Sequence, residues 1–548
     1  MGSSEYADCN RIGRDIIKRG ELATLVLNGG IATRFRGTGR GIKGLFPVLS
    51  LYGREMSFIE VKIRNTLEMA LRYGGRINQA IANSYYTDTA TREYLRKHAD
   101  FGMSSSDVLI YTHGISKRLI PTEADLHIQY DRDVESGRVP QQTFNGWLEF
   151  IRSHGAGAEF VSDEWLEAFN PPGHLDAKKY LVISGTLLEL IDSGAKYIWT
   201  SNVDNLGATI DPVILGYFAK SGKTILAEVG RRYEGDRGGA PVKVDGQMRM
   251  IEQQYFDPNF NQDLLPDFNT ATYLDTTDGI LEMFGISSVA EYRELCRPEN
   301  RAKLVQKVES ASQRLPVYPV IREVIVRGEK VPALQFEQMI QDSMLLLPPE
   351  KRLFLCVDRE NRFFPIKSLE DLSKGIRVAL QFRSDRATQP FQAVYVGGDF
   401  NNFDPEDFGD RYRMKLRKDG IWTLNVSLGP GRHQFKYKIG DEWVGPSFVD
   451  PLNPYQIITD AEGNRNYVLE VRPARERLQA LLADQIVPPP ESGSISPGIL
   501  QSLRPVAEEY GLNLNDMNTM NLLNQIRAGI VSTRDEAIVR LLSETRVS

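Results

Sequence analysis

Cysteine, histidine and tryptophan are scarce in this chain of 548 residues, which contains three, six and five of them. The cysteines, Cys9, Cys296 and Cys356, are far apart and odd in number, which argues against a disulfide framework and favours a reducing compartment. A metal cluster built on cysteine is therefore not expected. The few histidines form no recognisable catalytic triad and no His-Glu-x-x-His motif.

Long apolar runs and an excess of basic residues are also missing. No stretch reaches the roughly 18 apolar residues of a membrane span, and the first twenty residues carry charges where a signal peptide needs its apolar run. Lysine and arginine number 66 against 72 aspartates and glutamates, without the basic stripe of a nucleic-acid binder. We expect a cytoplasmic protein that binds neither membrane nor nucleic acid and holds anionic ligands in local sites.

The composition is that of an ordinary globular protein, with 41% hydrophobic and 25% charged residues. Single hydrophobic cores tend to stop growing near about 250 to 300 residues, so this length predicts two or more domains. We place the boundaries near residues 372 and 472. The three resulting segments are 1–372, 373–472 and 473–548.

From Leu22 to about Leu372, short apolar runs alternate with longer helical stretches, which is typical of βαβ units around a mostly parallel sheet. The predicted strands are 22–27, 77–82, 107–111, 196–201 and 224–229. The predicted helices include 58–73, 88–98, 177–192 and 212–221. The Asp245-Gly246 pair, between two alternating segments over 242–250, predicts a β-hairpin added to the same sheet.

After about Ser373 the predicted strands become closely spaced, and turn residues separate them. This pattern predicts a small antiparallel β-sandwich. The predicted strands are 376–382, 391–396, 420–426, 431–439 and 466–471. A helical tail follows, interrupted by a Pro/Ser/Gly-rich linker over 488–497. The apolar stripes at 500–510 and 520–530 are best explained by packing against the first domain or a partner subunit.

An apolar strand ending at Leu27 leads into a glycine-rich loop that contains Gly29 and Gly30 and is followed by Lys43. Glycines allow a backbone to approach a phosphate closely, and successive N–H groups can form an anion-binding concavity. The loop fits neither the Walker A pattern nor the dinucleotide fingerprint. The alternative is a tight turn with a basic surface loop.

A second candidate lies in the segment from Ser201 to Thr209, where Asp204 follows a predicted strand. Ligands in open α/β sheets lie beyond the carboxyl ends of strands. A divalent cation such as Mg²⁺ is bound by a carboxylate together with phosphate oxygens. Alternatively, Asp204 only caps the following helix.

Together these segments resemble the eukaryotic UDP-glucose pyrophosphorylase family over most of residues 20–370. Seven segments in the same order carry the resemblance, and the string from Ser201 to Thr209 is the most specific. They are Leu27 to Thr33 with Lys43, Asn83-Ser84, Pro171 to His174, Ser201 to Thr209, Gly238-Gly239, Phe268 to Thr270, and Phe364 to Lys367.

The resemblance implies a Rossmann-like nucleotidyltransferase domain with UTP, a sugar 1-phosphate and Mg²⁺ as ligands. Asp204 is implied to hold the metal. Catalytic roles are implied for Lys43, Asp204, Lys367 and Arg34. Nucleotide-binding roles are implied for Asn28, Gly29, Gly30, Thr33, Asn83, Gly173 and His174. Sugar-binding roles are implied for Asn202, Gly239 and Asn269. Alternatively, His174 is a core or turn histidine and Gly238-Gly239 a tight turn.

The residue types suit the implied reaction. A sugar-phosphate oxygen attacks the α-phosphorus of UTP in line with the departing pyrophosphate, which brings two polyanions together. Positioning, a metal ion and lysines can each lower that barrier. No side-chain nucleophile or general base is needed, because the sugar phosphate is already an anion.

The sequence departs from the family pattern at several positions. Ala32 stands where the family has Gly, and the family's loop before the lysine is two residues shorter than the loop of this chain. Arg34 is similar to the arginine in the Gly-Thr-Arg motif of bacterial sugar nucleotidyltransferases. The segment 112–118 replaces the neighbourhood of a glutamine that commonly reads uracil, and Ala271 replaces an asparagine near the sugar. Reaction class is therefore better determined than base and sugar identity.

The second segment is similar to glycogen-binding modules, whereas the family usually ends in a parallel β-helix. The resemblance lies in residues 397–403, 419–422, 430–437, Trp443, 450–451, Asn464 and Asn466. Aromatic rings suit the C–H-rich faces of α-glucans, and the matching positions imply sugar contacts for Phe403, Lys436, Trp443 and Asn466. Alternatively, Trp422 and Trp443 are core residues and the module only braces the first domain.

The leading hypothesis is a UTP:glucose-1-phosphate uridylyltransferase with an appended glucan-type module. A pyrophosphorylase for an N-acetylhexosamine or for several sugars is the alternative in the same class. A non-catalytic sensor of nucleotide sugar or glucan is the alternative in a different class, motivated by Ala32 and the missing glutamine. The oligomeric state is not determined by the sequence.

Overall fold

The computed structural model describes residues 2–30, 41–162, 165–232, 238–257, 260–326, 328–383, 393–417, 420–446, 455–483 and 485–486. Thr33 and Arg34, the linker over 488–497 and the predicted tail helices lie outside the described residues. The helices are α1 (Ser3–Lys18), α2 (Phe58–Tyr73), α3 (Asp88–Lys97), α4 (Glu123–Glu135), α5 (Gln141–His154), α6 (Trp165–Ala168), α7 (Leu175–Ile183), α8 (Thr186–Asp192), α9 (Pro212–Ser221), α10 (Thr277–Met283), α11 (Val289–Leu295), α12 (Arg301–Ser312), α13 (Arg359–Arg362) and α14 (Ala474–Ala483).

The strands follow the same chain order. They are β1 (Leu22–Leu27), β2 (Pro47–Leu51), β3 (Arg54–Ser57), β4 (Asn78–Asn83), β5 (Val108–Thr112), β6 (Ser116–Lys117), β7 (Phe169–Asn170), β8 (Tyr197–Asn202), β9 (Ile225–Arg231), β10 (Ala240–Val244), β11 (Gln247–Ile251), β12 (Asp267–Thr276), β13 (Tyr318–Val326), β14 (Glu329–Glu337), β15 (Arg352–Val357), β16 (Ile376–Phe382), β17 (Val394–Gly398), β18 (Lys415–Leu416), β19 (Trp422–Leu428), β20 (Gly431–Ile439), β21 (Glu442–Val444), β22 (Gln456–Thr459) and β23 (Arg465–Val471).

A seven-stranded sheet in the order β15-β9-β12-β8-β1-β4-β5 forms the centre of residues 22–357. Its neighbouring strands are parallel except at β12, which is antiparallel to both β8 and β9. Every residue of β1 is buried, as expected for a central strand covered by helices on both faces. The predicted α/β class with a mixed, mostly parallel sheet is confirmed.

Alternate residues of β1 enter different cores. Leu25 packs in one cluster with Leu181 of α7 and Leu304 of α12, whereas Val26 packs in another with Phe58 of α2. Helix α2 begins after Ser57, whose side chain accepts a hydrogen bond from the Glu60 N–H, and ends at Gly74 in the left-handed region. A serine at the N-terminal cap and a glycine at the C-terminal cap are both common in α-helices.

Two predictions about this region are wrong. The helix predicted over 177–192 is two helices, α7 and α8, because Gly185 adopts a positive φ of 89° between them. The hairpin around Asp245-Gly246 exists, but β10 and β11 form a separate two-stranded sheet and not an extension of the central one. Hydrophobic periodicity indicates which side chains are buried. It does not indicate which sheet a hairpin joins.

Two antiparallel sheets follow, one in the order β16-β19-β18 and one in the order β17-β20-β23-β22, with β21 paired to β20. They share a core that includes Trp422, Phe435 and Tyr437. Strand β17 begins at Val394, three residues after the predicted start of that strand. Helix α14 returns to the elements around the central sheet, where Leu478 and Leu482 join the cluster that contains Phe58.

Candidate functional site

Four adjacent parallel strands, β8, β1, β4 and β5, end at one edge of the central sheet. The carboxyl ends of such strands are where α/β proteins bind ligands. The polar residues that end or follow these strands are Asn202 and Asp204, Asn28, Asn83 and Ser84, and His113. The fold therefore brings four of the predicted site residues, Asn28, Asn83, Asn202 and Asp204, to one edge of the sheet.

Asn28 is fully buried and ties the start of the glycine loop to β4. Its Nδ2 donates to Asn83 Oδ1 at 2.8 Å and to Thr91 Oγ1 at 3.1 Å. Asn83 Nδ2 in turn donates to Asp88 Oδ1 at 3.1 Å. Gly44 has no room for a side chain, because a Cβ there would lie 1.9 Å from Asn28 Oδ1. Asn28 thus fixes the start of the loop against β4 and packs closely on Gly44 at the end of the loop.

Lys43 and Asp204 meet at this edge although 161 residues separate them. Lys43 Nζ lies 3.0 Å from Asp204 Oδ2; Lys43 is partly exposed, whereas Asp204 is buried. The Lys43 N–H donates to the Gly30 carbonyl at 3.2 Å, which closes the loop on itself. Asp204 does not cap the following helix, because Asp211 accepts from Val213 and Ile214 at that position. The pair presents one cation and one carboxylate beside the glycine loop.

Two buried cations hold the loop that carries Asp204. Lys62 Nζ donates to Ser201 Oγ at 3.1 Å and to the carbonyls of Asn205 and Ala208 at 2.7 and 3.0 Å. Arg362 Nη1 donates to the Thr209 carbonyl at 2.7 Å, while its other nitrogens bond the Glu228 carboxylate. Burial lowers the pKa of Lys62 to about 7.

We expect replacement of Lys62 by Met to remove a pH dependence of stability. The Lys62 pKa is about 7 in the folded protein against 10.5 ordinarily, so between these values the unfolded chain binds a proton that the folded chain releases. The free energy of unfolding therefore gains up to about 1 kcal/mol per pH unit as pH rises through this window. Urea unfolding of wild type and Lys62→Met at about pH 7 and pH 9 measures the gain.

The control for this experiment is Lys303→Met on the exposed side of α12, which should keep the wild-type pH dependence. An equal pH slope in wild type and Lys62→Met would contradict the assignment of a lowered pKa to Lys62.

The segment before Lys367 pairs directly with the Asp204 loop. Phe364 N–H donates to Asn205 Oδ1 at 2.9 Å, and Ile366 N–H donates to the Asp204 carbonyl at 3.0 Å. Lys367 itself is exposed, and its ammonium is near enough to Glu252 to lower that carboxyl's pKa, which burial raises overall. Lys367 thus lies on the same side of the sheet edge as Asp204. It is next to Glu252, which the sequence analysis did not predict as a site residue.

Asn269, Gly239 and Glu252 form a second polar group, on the β12 side of Asp204. Asn269 N–H donates to the Gly239 carbonyl at 2.8 Å, and Asn269 Nδ2 donates to the Tyr273 hydroxyl at 2.9 Å. A Cβ on Gly239 would lie 2.8 Å from Glu252 Oε1. Ala271 has a φ of 57° at a bulge in β12 that leaves Thr270 and Ala271 out of the register with β9, and the Ala271 N–H donates to Asn269 Oδ1 at 2.9 Å.

Behind Glu252 lie two further buried polar residues. Gln341 Nε2 donates to Glu252 Oε1 at 2.5 Å. Burial raises the pKa of the adjacent Asp342 to about 7.

Gly173 and His174 are attached to the segment after β14. Gly173 has a φ of 100°, and a Cβ there would lie 2.3 Å from the Gln338 carbonyl oxygen. His174 Nδ1 accepts the Ile340 N–H at 2.8 Å, and burial lowers the pKa of the ring. A histidine that accepts a backbone N–H at Nδ1 is neutral and carries its proton on Nε2. His174 therefore holds the segment after β14 in place, which is the structural role that the alternative interpretation gave it.

His113, Lys62, Arg362 and Glu252 are the residues that sequence reasoning missed at this edge. None belongs to a recurring spaced motif, and each acts through a contact far away in sequence. The replaced segment 112–118 was the one available signal, and it contains His113 without singling it out.

The sandwich carries a small aromatic surface patch. The rings of Phe403 and Trp443 lie 6.3 Å apart, and Lys436 Nζ lies 5.7 and 5.1 Å from their centroids. Gly397 makes room for Trp443, because a Cβ there would lie 2.2 Å from the indole ring. Asn466 is buried beside the patch and donates to Gln434 Oε1 at 3.3 Å. Trp422, in contrast, belongs to the core.

Two other features are absent from the described ranges. These ranges contain no helix long and apolar enough to cross a membrane. They also contain no group of three or more histidine, cysteine, aspartate or glutamate side chains placed to hold a metal ion. A Mg²⁺ shared with substrate phosphates needs only one or two protein carboxylates, so Asp204 alone fits that kind of site.

A partly exposed lysine in contact with a buried carboxylate beside a glycine loop, at the carboxyl edge of a mostly parallel sheet, characterises an α/β protein suited to phosphate-bearing ligands. Residues 158–390 match the family model described as UTP--glucose-1-phosphate uridylyltransferase. The matched residues include Asp204 and Lys367, whereas the loop with Lys43 precedes them. The sequence comparison and the Lys43–Asp204 contact are therefore separate observations.

Curated relatives extend the similarity. A probable UTP--glucose-1-phosphate uridylyltransferase of Schizosaccharomyces pombe is 25% identical over 366 residues, covering 66% of this chain and 59% of the relative. The UTP--glucose-1-phosphate uridylyltransferase of Saccharomyces cerevisiae is 24% identical over 354 residues, 64% of this chain and 58% of the relative. The chain thus spans less than two thirds of the length of these relatives. UTP--glucose-1-phosphate uridylyltransferase 2 of Dictyostelium discoideum is 30% identical over 233 residues, 42% of this chain and 38% of the relative.

Solved structures of similar proteins include two pyrophosphorylases. A putative UDP-N-acetylglucosamine pyrophosphorylase from Entamoeba histolytica is 17% identical with a TM-score of 0.49, covering 67% of this chain and 83% of that one. A mutant of the UDP-glucose pyrophosphorylase from Leishmania major is 20% identical with a TM-score of 0.45, covering 68% of each chain.

Proposed function

We propose that this protein transfers the uridylyl group of UTP to a sugar 1-phosphate, most simply glucose 1-phosphate, giving a UDP-sugar and pyrophosphate. The observation that carries the proposal is the 3.0 Å contact of Lys43 with Asp204 beside the glycine loop. The match of residues 158–390 to uridylyltransferases supports it. A metal and a lysine at one point suit a reaction that pushes two phosphates together.

The proposed step forms one bond and breaks one. A phosphate oxygen of the sugar 1-phosphate bonds to the α-phosphorus of UTP, while the bond from that phosphorus to the β-bridging oxygen breaks. Pyrophosphate leaves with the electron pair, so no side chain has to take or give a proton. The chain's task is therefore positioning and charge neutralisation.

Named residues have separate tasks in this proposal. Backbone groups of Gly29 and Gly30 cradle the UTP phosphates, with Lys43 gripping them and Lys367 reaching the reacting pair. Asp204 holds Mg²⁺, which supplies Lewis-acid stabilisation of the transferring phosphoryl group when bound. Asn202, Gly239 and Asn269 bind the sugar, with Glu252 placed to accept from its hydroxyls. Arg34 of the loop is a further catalytic residue. The remaining nucleotide-binding residues are Thr33, Asn28, Asn83, Gly173 and His174.

A substrate panel tests the proposal. Purified full-length protein is given UTP, Mg²⁺ and either glucose 1-phosphate, galactose 1-phosphate or N-acetylglucosamine 1-phosphate, and pyrophosphate release is followed. Release with glucose 1-phosphate that EDTA abolishes is the expected result. Release confined to the N-acetyl sugar, or with several sugars, would favour the broader pyrophosphorylase. Nucleotide-sugar binding with no release from any sugar would favour a sensor and reject the enzyme.

We also propose that the sandwich binds α-glucan through the patch of Phe403, Trp443 and Lys436, with Asn466 as a neighbour. Replacement of Trp443 by Ala should lower affinity for maltoheptaose at least about tenfold, because a partly exposed tryptophan offers a large flat surface to a pyranose ring. Isothermal titration calorimetry on the full chain measures it. Phe408→Ala, another exposed aromatic of the same sandwich, is the matched control, and binding equal in both variants would assign the module a bracing role.

We further infer a functional division of the chain near residues 372 and 472 and a cytoplasmic location. The change from a mixed sheet to antiparallel sheets after about residue 373 supports the division. The three cysteines, all free thiols, fit a reducing compartment.

A further inference from the structure

Helix α14 lies outside the residues that match the family model, which end at residue 390. The helix follows β23 of the sandwich after two residues. The Ala474 N–H donates to the Lys374 carbonyl at 2.8 Å, just before the first strand of the sandwich. The helix thus connects the sandwich to the elements around the central sheet.

The apolar side of α14 shares a core with the chain neighbours of Lys43, Asp204 and Lys367. Leu478 and Leu482 of the helix are fully buried in this core. The chain neighbours that belong to the same cluster or pack against it are Leu45, Phe46, Val203, Leu206, Phe364 and Ile366. All three segments to which the proposed function gives charged groups therefore meet at one helix.

Arg477 attaches α14 to the segment that leads to Lys367. Arg477 Nη1 donates to Glu360 Oε2 at 2.9 Å, and Nη2 donates to the Gly375 carbonyl at 3.0 Å. The guanidinium carbon also lies 5.3 Å from the centre of the Phe364 ring. Since Phe364 precedes Lys367 by three residues, Arg477 holds this segment from the side of the helix.

Asn65 of α2 connects the residues after α14 to the loop that follows Asp204. The asparagine is buried, and its Nδ2 donates to the Gln485 carbonyl at 2.8 Å. Its Oδ1 accepts the Ile210 N–H at 3.1 Å. One side-chain amide thus bridges the two backbones.

We propose that α14 is a positioning element of the reaction centre, which fixes the segments of Lys43, Asp204 and Lys367 relative to one another through Arg477 and Asn65. This inference rests on the proposed function for the roles of the three charged residues. A reaction that depends on positioning is sensitive to remote contacts, because a displacement of about 1 Å can cost on the order of 10²-fold in rate.

Two variants of the full-length protein test the two contacts separately. Arg477→Met should lower kcat for pyrophosphate release about tenfold and leave the KM values for UTP and glucose 1-phosphate within about threefold, because Lys367 is assigned to the reacting phosphates. Asn65→Ala should raise the Mg²⁺ concentration at half-maximal rate about three- to tenfold, because it releases the loop that carries Asp204. A general loss of stability would not divide into these two effects.

The matched controls are Arg475→Met, at an exposed arginine of α14, and Asn145→Ala, at an exposed asparagine of α5. Both should keep the wild-type constants. Thermal unfolding establishes that each variant is folded at the assay temperature. If Arg477→Met does not fold, Arg477→Lys is measured instead; it keeps the cation, replaces the two donors to Glu360 and Gly375 by one nitrogen, and should still lower kcat.

Hydrogen–deuterium exchange of the same proteins measures the positioning without turnover. The peptide with Ile366 should exchange faster in Arg477→Met than in the controls, and the peptide with Ile210 should do so in Asn65→Ala. Wild-type kcat and Mg²⁺ dependence in both folded variants would overturn the proposal. A wild-type protein that releases no pyrophosphate would reject the proposed reaction; faster exchange in the variants would then still support the role of α14, and unchanged exchange would reject it.

Discussion

Replacing Asp204 by Ala is expected to lower the rate of pyrophosphate release by at least about 10³-fold at saturating substrates. Asp204 is the carboxylate in contact with Lys43, and its loop is fixed from behind by Lys62 and Arg362. Its removal would leave the metal without a protein ligand at the point where transition-state charge develops. Asp204→Asn keeps the shape, loses the charge and should show a loss of the same order.

Three measurements make the Asp204 experiment decisive. Initial rates over a range of Mg²⁺ concentrations separate lost metal affinity from lost chemistry. Thermal unfolding confirms that the variant is folded. Asp15→Ala, at a half-exposed aspartate of α1, is the control and should keep the wild-type rate. A loss below tenfold for Asp204→Ala would reject the metal-holding role.

The second large effect is expected for Lys43. Lys43→Met should reduce kcat about 10²- to 10³-fold while the KM for the sugar 1-phosphate changes little, because an ammonium that neutralises charge appearing in the transition state acts mainly on kcat. The loop itself should persist, since Asn28 and Gly44 hold its ends independently of the Lys43 side chain. Rates with glucose 1-phosphate and UTP give the two constants.

Lys43→Arg separates charge from geometry at this position. An arginine side chain is longer, and its planar guanidinium directs its N–H donors differently from a compact ammonium. Most of the loss in kcat should therefore remain in Lys43→Arg. Lys220→Met, at an exposed lysine of α9, is the control and should behave as wild type. An unchanged kcat in Lys43→Met would leave the glycine loop as a tight turn with a basic surface residue.

Five of the seven strands of the central sheet, β1, β4, β5, β8 and β9, were predictable because each contains a short apolar run. Strand β1 was predicted with its observed bounds, and β4, β5 and β8 within one residue at each end. Such runs mark strands that helices cover on both faces. Helix α9 was equally clear, since Asp211 and Pro212 form a typical helix start.

The errors arose where local pattern does not carry the information. Gly185 splits α7 from α8 inside a continuous apolar periodicity, which alone cannot distinguish one long helix from two. The hairpin of β10 and β11 was recognised by Asp245-Gly246, but its attachment depends on which sheet edge is free. The antiparallel insertion of β12 between β8 and β9 has no local sign at all, because strand direction is set by connections along the whole chain.

The site was predictable in part for a related reason. Asn28, Gly29, Lys43 and Asp204 belong to segments with recognisable spacing after predicted strands. Lys62 gave no such signal, because a lysine in the first turns of a helix reads as solvent-facing.

By itself the sequence determined the alternation of strands and helices, the capping of α2 and α9, and the residue types at the ends of the strands, because these depend on interactions between residues close in the chain. Only the tertiary structure decided the strand order, the contact between Lys43 and Asp204 across 161 residues, and the burial of Lys62. Those features depend on how whole elements pack against one another, and packing selects among arrangements that the local pattern allows equally.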